Sequence, residues 1–166
     1  MRSVIEDLWR LLNSVNEWVR FADAKAGGAL AGAGVLAGVL ASAGLSDKFD
    51  HASTAAVTLG VASGGLAVIA AALSLWALLP TLRVGEPVSL IYFEHVARKY
   101  RDDAAGHAAA VKALITDEEQ YFQQVAAQVW ANSKVARAKF LASAWALTAL
   151  GLAVLLGGVA AIVTIF

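Results

Sequence analysis

Three sets of residues in this 166-residue chain have the types and spacing for chemistry, and each implies a different kind. The first is a basic-aromatic run, Tyr92, Phe93, His95, Arg98, Lys99, Tyr100 and Arg101. Its cationic groups can hold a phosphate and its ring faces can stack a base. The same composition also suits a segment lying against anionic lipid. The second set is the three imidazoles, His51, His95 and His107, which stand on different segments; His95 beside Glu94 reads as a surface pair rather than a metal ligand. The third is Asp23 with Lys25, two charges just before an uncharged run that lasts to Ser46. Their plainest reading is interfacial anchoring by snorkelling. Cysteine is absent, which removes disulfides, a thiolate nucleophile and cysteine metal sites. No glycine-rich phosphate loop follows a strand, and no charge inside the apolar runs suggests an ion relay. The sequence therefore gives an enzyme no residues to work with.

The elements that must position these groups are helices in a membrane. Apolar residues make up 59% of the chain and charged ones 16%, against roughly a quarter charged in soluble domains. Residues 1–25 predict an amphipathic helix with Val4, Leu8, Leu11, Val15, Trp18 and Ala22 on one stripe and Glu6, Asp7, Arg10, Asn13, Glu17 and Arg20 on the others. Residues 26–46 follow as a first span of about 21 residues, enough for the hydrocarbon core. It is rich in glycine and alanine, so Gly28 with Gly32 and Gly34 with Gly38 read as small-xxx-small helix-packing pairs. Ala41-Ser42-Ala43 has the look of a signal-peptidase site, but a full polar helix precedes it and two more spans follow, which argues against a cleaved export signal.

Residues 47–53 predict a short external loop, and 54–80 a second span carrying Gly60 and Gly64, with Trp76 near one interface and Pro80 at its stop. Residues 81–139 form the substantial polar segment. Gly85-Glu86-Pro87 predicts a turn into a helix through Leu90, Ile91, Phe93, Val96 and Ala97, which Asp102, Asp103 and Gly106 weaken or end. An alanine-rich helix from about His107 to Ile115 comes next, and Thr116-Asp117-Glu118-Glu119 predicts a capping-box start for a helix running through Phe122, Val125, Val129, Asn132 and Ala136 into a third span, 140–166. Eight of the 13 Lys and Arg residues fall between Arg83 and Lys139 and four more in the N-terminal arm, with Lys48 alone in the connector. That asymmetry predicts a cytoplasmic N-terminus and polar segment and an external C-terminus. It also puts His51 across the membrane from His95 and His107, excluding one metal site shared by all three. The fold class is an all-α membrane protein: three transmembrane helices, an N-terminal amphipathic helix, and a cytoplasmic helical segment between spans two and three.

Three motifs carry a family resemblance. Arg20-Phe21-Ala22-Asp23-Ala24-Lys25-Ala26 before the first span, Leu90-Ile91-Tyr92-Phe93-Glu94-His95-Val96 after the second, and Gln128-Val129-Trp130-Ala131-Asn132-Ser133 with Lys139-Phe140 before the third are similar to the transmembrane effectors of the Pycsar antiphage system. The resemblance implies a multi-pass protein of the bacterial inner membrane, acting on the bilayer in answer to a cyclic pyrimidine nucleotide, cyclic UMP or cyclic CMP, from a partner cyclase. The implied outcome is membrane damage and death of the infected cell. It implies no cofactor and no nucleic-acid polymer as partner. On this reading Tyr92, Phe93, His95, Arg98, Lys99 and Arg101 are the candidate nucleotide ligands, with Arg98 or Arg101 on the phosphate. Asp23 and Lys25 become the joint between sensor and span, and several copies associate as a homo-oligomer through the small-residue helices. The alternative is a membrane-anchored helical scaffold without pore activity.

Overall fold

The computed structural model describes residues 2–44, 52–80 and 89–165. Among them the chain forms five α-helices: α1 Arg2–Gly44, α2 Thr54–Leu78, α3 Phe93–Lys99, α4 Ala104–Thr116 and α5 Glu118–Ile165. Three of these, α1, α2 and α5, contain stretches long and apolar enough to cross a membrane. The all-α fold class with three such helices is thus the observed one. The expected turn at Gly85-Glu86-Pro87, the bulk of the external connector with Lys48 and His51, and Arg83 lie outside the described residues.

Local chemistry sets most of the helix ends. The Ser53 hydroxyl accepts a hydrogen bond from Ala56 N at 3.2 Å and caps α2. Leu79, held extended at φ −60° and ψ 135°, ends it, because the proline ring of Pro80 disfavours helical backbone in the residue before it. The helix expected through Leu90 and Ile91 begins later, at Phe93. The Ser89 hydroxyl accepts from both Ile91 N and Tyr92 N at 3.2 Å, a local alternative to helical bonding. Gly106 does not end a helix: it sits in the first turn of α4, where Asp103 Oδ1 accepts from its N–H at 2.8 Å, so α4 starts three residues before His107. At α5 the cap is Asp117, whose carboxylate accepts from Gln120 N at 3.0 Å. Thr116 instead donates to Ala113 O and closes α4.

The chain divides into two compact units. A polar unit comprises 1–19 and 80–137. Its buried apolar residues are Leu12, Leu114, Val125 and Ala136, and hydrogen bonds tie α1 to α5 at two levels: Trp9 Nε1 to Tyr121 Oη at 2.9 Å, and Asn132 Nδ2 to Asn16 Oδ1 at 2.7 Å. The α1 face that packs here is centred on Leu12, Val15, Asn16 and Val19. Val4, Leu11 and Trp18, expected on the apolar stripe, are about half exposed. Leu11 and Leu12 are equally apolar neighbours, and the Asn16 bond selects the face that includes Leu12.

An apolar unit comprises 20–79 and 138–166. Its interior is built in alanine layers, Ala26 with Ala77 and Ala142, then Ala33 with Ala70 and Ala149, the second flanked by Ala71 and Leu150. Buried positions on α1 fall at 22, 26, 29 and 33, on α2 at 56, 63, 67, 70, 74 and 77, and on α5 at 139, 142, 143, 146, 149, 153 and 160. On α1 and along α2 from Ser63 the steps alternate between four and three, and on α5 most are three, four or seven, which keeps one seam inward along each helix. Side chains that stop at Cβ let the backbones approach closely, the usual substitute for a hydrophobic driving force between helices in lipid. Among the glycines expected to pack helices, Gly32 meets another helix closely, since a Cβ there would stand 2.9 Å from Leu150 Cδ2. Gly64 faces Leu40 at an ordinary 3.9 Å, Gly60 is half-buried on α2, and Gly28, Gly34 and Gly38 have nothing within 4 Å of an added Cβ. Gly157, not singled out from the sequence, is as confined as Gly32, with Ser63 Oγ 3.0 Å from an added Cβ.

Candidate functional site

Asp23 stands on the α1 side that faces α5, one residue after the buried Ala22. Lys139 stands on the inward seam of α5, between Ala136 and Ser143. The two meet: Lys139 Nζ is 2.6 Å from Asp23 Oδ1, with the lysine side chain 9% exposed and the aspartate 35%. The bond is charge-assisted and its lysine end is largely desolvated, so loss of the aspartate would leave a buried ammonium without a partner. One turn on, the Ser143 hydroxyl lies 3.0 Å from Ala22 O and 2.8 Å from Lys139 O, fastening α5 to the α1 backbone beside the ion pair. Lys25 lies on the outer face, its Nζ 4.8 Å from the Phe21 ring centroid and 5.3 Å from that of Phe140. The two rings are 6.5 Å apart and tilted by 39°. Asp23 and Lys25 thus do different jobs. One is an inward ionic contact between helices; the other is an exposed cation held between two aromatic faces.

In the polar unit, Tyr92, Phe93 and His95 gather at the start of α3, with Tyr92 edge-on to Phe93 at 4.9 Å and to His95 at 5.0 Å. His95 Nδ1 accepts from Ser89 N at 3.1 Å, which fixes that ring nitrogen as an acceptor and ties the preceding turn to the helix. Phe93, Arg98, Lys99 and Arg101 are exposed. A separate open cavity of about 530 Å³ is lined by Lys99, Tyr100, Leu114, Asp117, Gln120 and Gln124, among others. That volume is in the range of small-ligand sites. Of the six candidate nucleotide residues, Lys99 lines this cavity; the aromatic trio forms its own cluster. Gln124 already accepts from Leu90 N at 3.0 Å, leaving its amide N–H groups for another partner. Among the described residues no group of three or more His, Asp or Glu could hold a metal ion.

Residues 7–166 match the family described as the Pycsar effector protein domain. The chain belongs to the Pycsar effector family. Two curated relatives show how the similarity is spread. The Pycsar effector protein PtPycTM of Propioniciclava tarda is 29% identical over 139 residues, covering 82% of this chain and 68% of the relative. The Pycsar effector protein MePycTM of Micromonospora echinofusca is 56% identical over 48 residues, 29% of this chain and 81% of the relative. No solved structure matches the chain. Family membership and three span-length helices make this Pycsar effector an antiphage-defence protein of the membrane, from a family that works with a partner cyclase.

Two of the motifs that carried the resemblance, the one before the first span and Lys139-Phe140 before the third, are brought together. Phe21, Asp23 and Lys25 meet Lys139 and Phe140 in the apolar unit. In the polar unit Gln128 donates to Asn132 Oδ1 at 2.8 Å and Asn132 to Asn16, while Lys134 sits 3.4 Å over the Trp130 ring. Lys139 was counted in the sequence among positive-inside residues. Its place three residues beyond Ala136 and four before Ser143 is the signal that marks it as inward, because a lysine on a helix seam requires a partner.

Proposed function

We propose that this Pycsar effector binds a cyclic pyrimidine nucleotide, cyclic UMP or cyclic CMP, made by its partner cyclase on infection, then repacks or oligomerises in the bacterial inner membrane and destroys its integrity. The infected cell dies before phage release. The observation that carries this reading is the family match over nearly the whole chain, residues 7–166. The polar unit supplies the ligand site, drawing on Tyr92, Phe93, His95, Arg98, Lys99 and Arg101, and Lys99 is where these candidates reach the open 530 Å³ cavity. The polar unit is cytoplasmic and the C-terminus external, in keeping with the concentration of Lys and Arg in the N-terminal arm and the 83–139 segment. Ligand binding biases the packing of a small-residue bundle whose charged threshold is the Asp23–Lys139 pair. Several copies take part, since three slender helices from one chain are too few to enclose a water-filled path.

The test is propidium iodide entry and membrane potential in cells expressing the effector with an active cyclase or an inactivated one. Dye entry and depolarisation with the active cyclase alone are expected. Intact membranes at full expression of both proteins refute the proposal.

A further inference from the structure

In the apolar unit polarity is distributed in reverse of a water-soluble bundle. The polar or charged residues that are buried among the described ones are Ser63, Ser74, Ser143 and Lys139, and all four belong to this unit. Its outer surface is Val35, Val61, Val68, Leu75, Leu152 and Leu155, each about half exposed or more, as lipid requires. The buried positions of α2 from Ser63 to Ala77 and of α5 from Ala142 to Ala153 are all alanine or serine, with Leu66, Leu73 and Leu150 half-buried beside them. Two of the serines are explained by packing. Ser63 donates to Ala153 O at 2.7 Å, across from α2 to α5, and Ser143 lies between two carbonyls.

Ser74 is different. It is wholly buried, between the layers of Ala70 and Ala77, and its hydroxyl has no hydrogen-bond partner. An unmade hydrogen bond in an apolar interior opposes the state that contains it, and alanine at this position would avoid the cost while keeping the close approach. The closed packing therefore gives no reason for the hydroxyl. Water does. We infer that the inward face of α2 and α5, with Ser63, Ser74 and Ser143 along it and Lys139 at one end, is the surface that lines a water-filled path, wide enough for ions and small charged dyes, when the bundle opens. This rests on the proposed function, because it assumes that the membrane is breached by rearrangement of this effector. It adds which side chains meet the water.

The chain has no cysteine, so a single introduced thiol reports accessibility without background. Ser74→Cys and Ala146→Cys place thiols on the inward face, and Val68→Cys and Leu155→Cys place them on the outer one. Each full-length variant is reconstituted in dye-loaded proteoliposomes, with cyclic UMP or cyclic CMP on both sides, and exposed to a charged methanethiosulfonate while dye release is followed. Labelling of Ser74→Cys and Ala146→Cys at least tenfold faster with nucleotide, the outer thiols remaining unlabelled, is the expected result. Ser74→Ala should keep or raise the melting temperature and slow dye release several-fold. Dye release with the inward thiols still protected overturns the lining and leaves the proposed function standing. Intact vesicles with either nucleotide overturn both.

Discussion

The Asp23–Lys139 contact allows a quantitative test, because its two ends differ in burial. Exposed ion pairs contribute about 0.2–1 kcal/mol, whereas removing one partner of a buried pair costs about 3–5 kcal/mol through the charge left behind. Lys139 is 9% exposed and Asp23 35%, so solvent screens the aspartate end and the expected cost lies below the buried range. Asp23→Asn strands the enclosed ammonium and should destabilise the bundle by about 2–3 kcal/mol. Lys139→Met leaves a carboxylate that can turn toward solvent, and should cost about 1 kcal/mol. With both changes no charge is stranded, and the double variant should return to within about 1 kcal/mol of the parent. The implied coupling is at least about 2 kcal/mol, roughly a 30-fold change or more in an equilibrium constant. The assay is a double-mutant cycle on the purified protein in mild detergent, following loss of helix signal on titration with a denaturing detergent. Additive losses below about 0.5 kcal/mol for each single variant would refute the reasoning. Dye entry read on the same four proteins then shows whether the pair holds the resting state. If it does, the single Asp23 variant shifts the cyclase dose needed and the double variant restores it.

The glycines separate by what surrounds them. Gly32→Leu, forced against Leu150, should lower stability by about 1–3 kcal/mol, while Gly34→Ala, in open space on the same helix, should raise it by up to about 1 kcal/mol; thermal unfolding in detergent compares them directly. In the polar unit, Lys99→Ala should weaken binding of cyclic UMP or cyclic CMP about tenfold or more by calorimetry, because Lys99 is the cation on the cavity. If instead Arg98→Ala and Arg101→Ala abolish binding and Lys99→Ala does not, the ligand lies on the outer face of α3.

The helices and their long apolar stretches were legible in the sequence because each follows from hydropathy over twenty or more residues. What failed was finer. On α1 the stripe through Leu8, Val15 and Ala22 was right, but Leu11 and Trp18 were assigned inward where Leu12 and Val19 pack, since adjacent apolar residues leave the phase of a seam undetermined by two or three heptads. Asn16 and Asn132 fix that phase through a side-chain bond between residues 116 apart, for which the sequence carries no local mark. The helix edges at Ser89, Asp103 and Asp117 moved by one to three residues because a side-chain hydroxyl or carboxylate took the backbone N–H groups. The ion pair was half visible. Asp23 stood out as a charge at an apolar threshold, but Lys139 was hidden among other basic residues until its place on the α5 seam gave it a direction. In the span bundle the inward faces were obscured because lipid is apolar too, so alanine inside and valine outside give no contrast along the helix.

An interior made of alanine has a kinetic consequence. Alanine has no side-chain torsion, so the layers of Ala26, Ala77 and Ala142 and of Ala33, Ala70 and Ala149 interlock through no rotamers that must be released before a helix can slide or turn. A slip of seven residues along α1 would exchange Ala26 for Ala33, one methyl for another. What distinguishes the native register from its neighbours is a short set of marks: the Asp23–Lys139 pair, the Ser63 and Ser143 bonds to backbone carbonyls, and Gly32 beneath Leu150. A bundle indexed at so few points can be held firmly and yet be released by disturbing one of them.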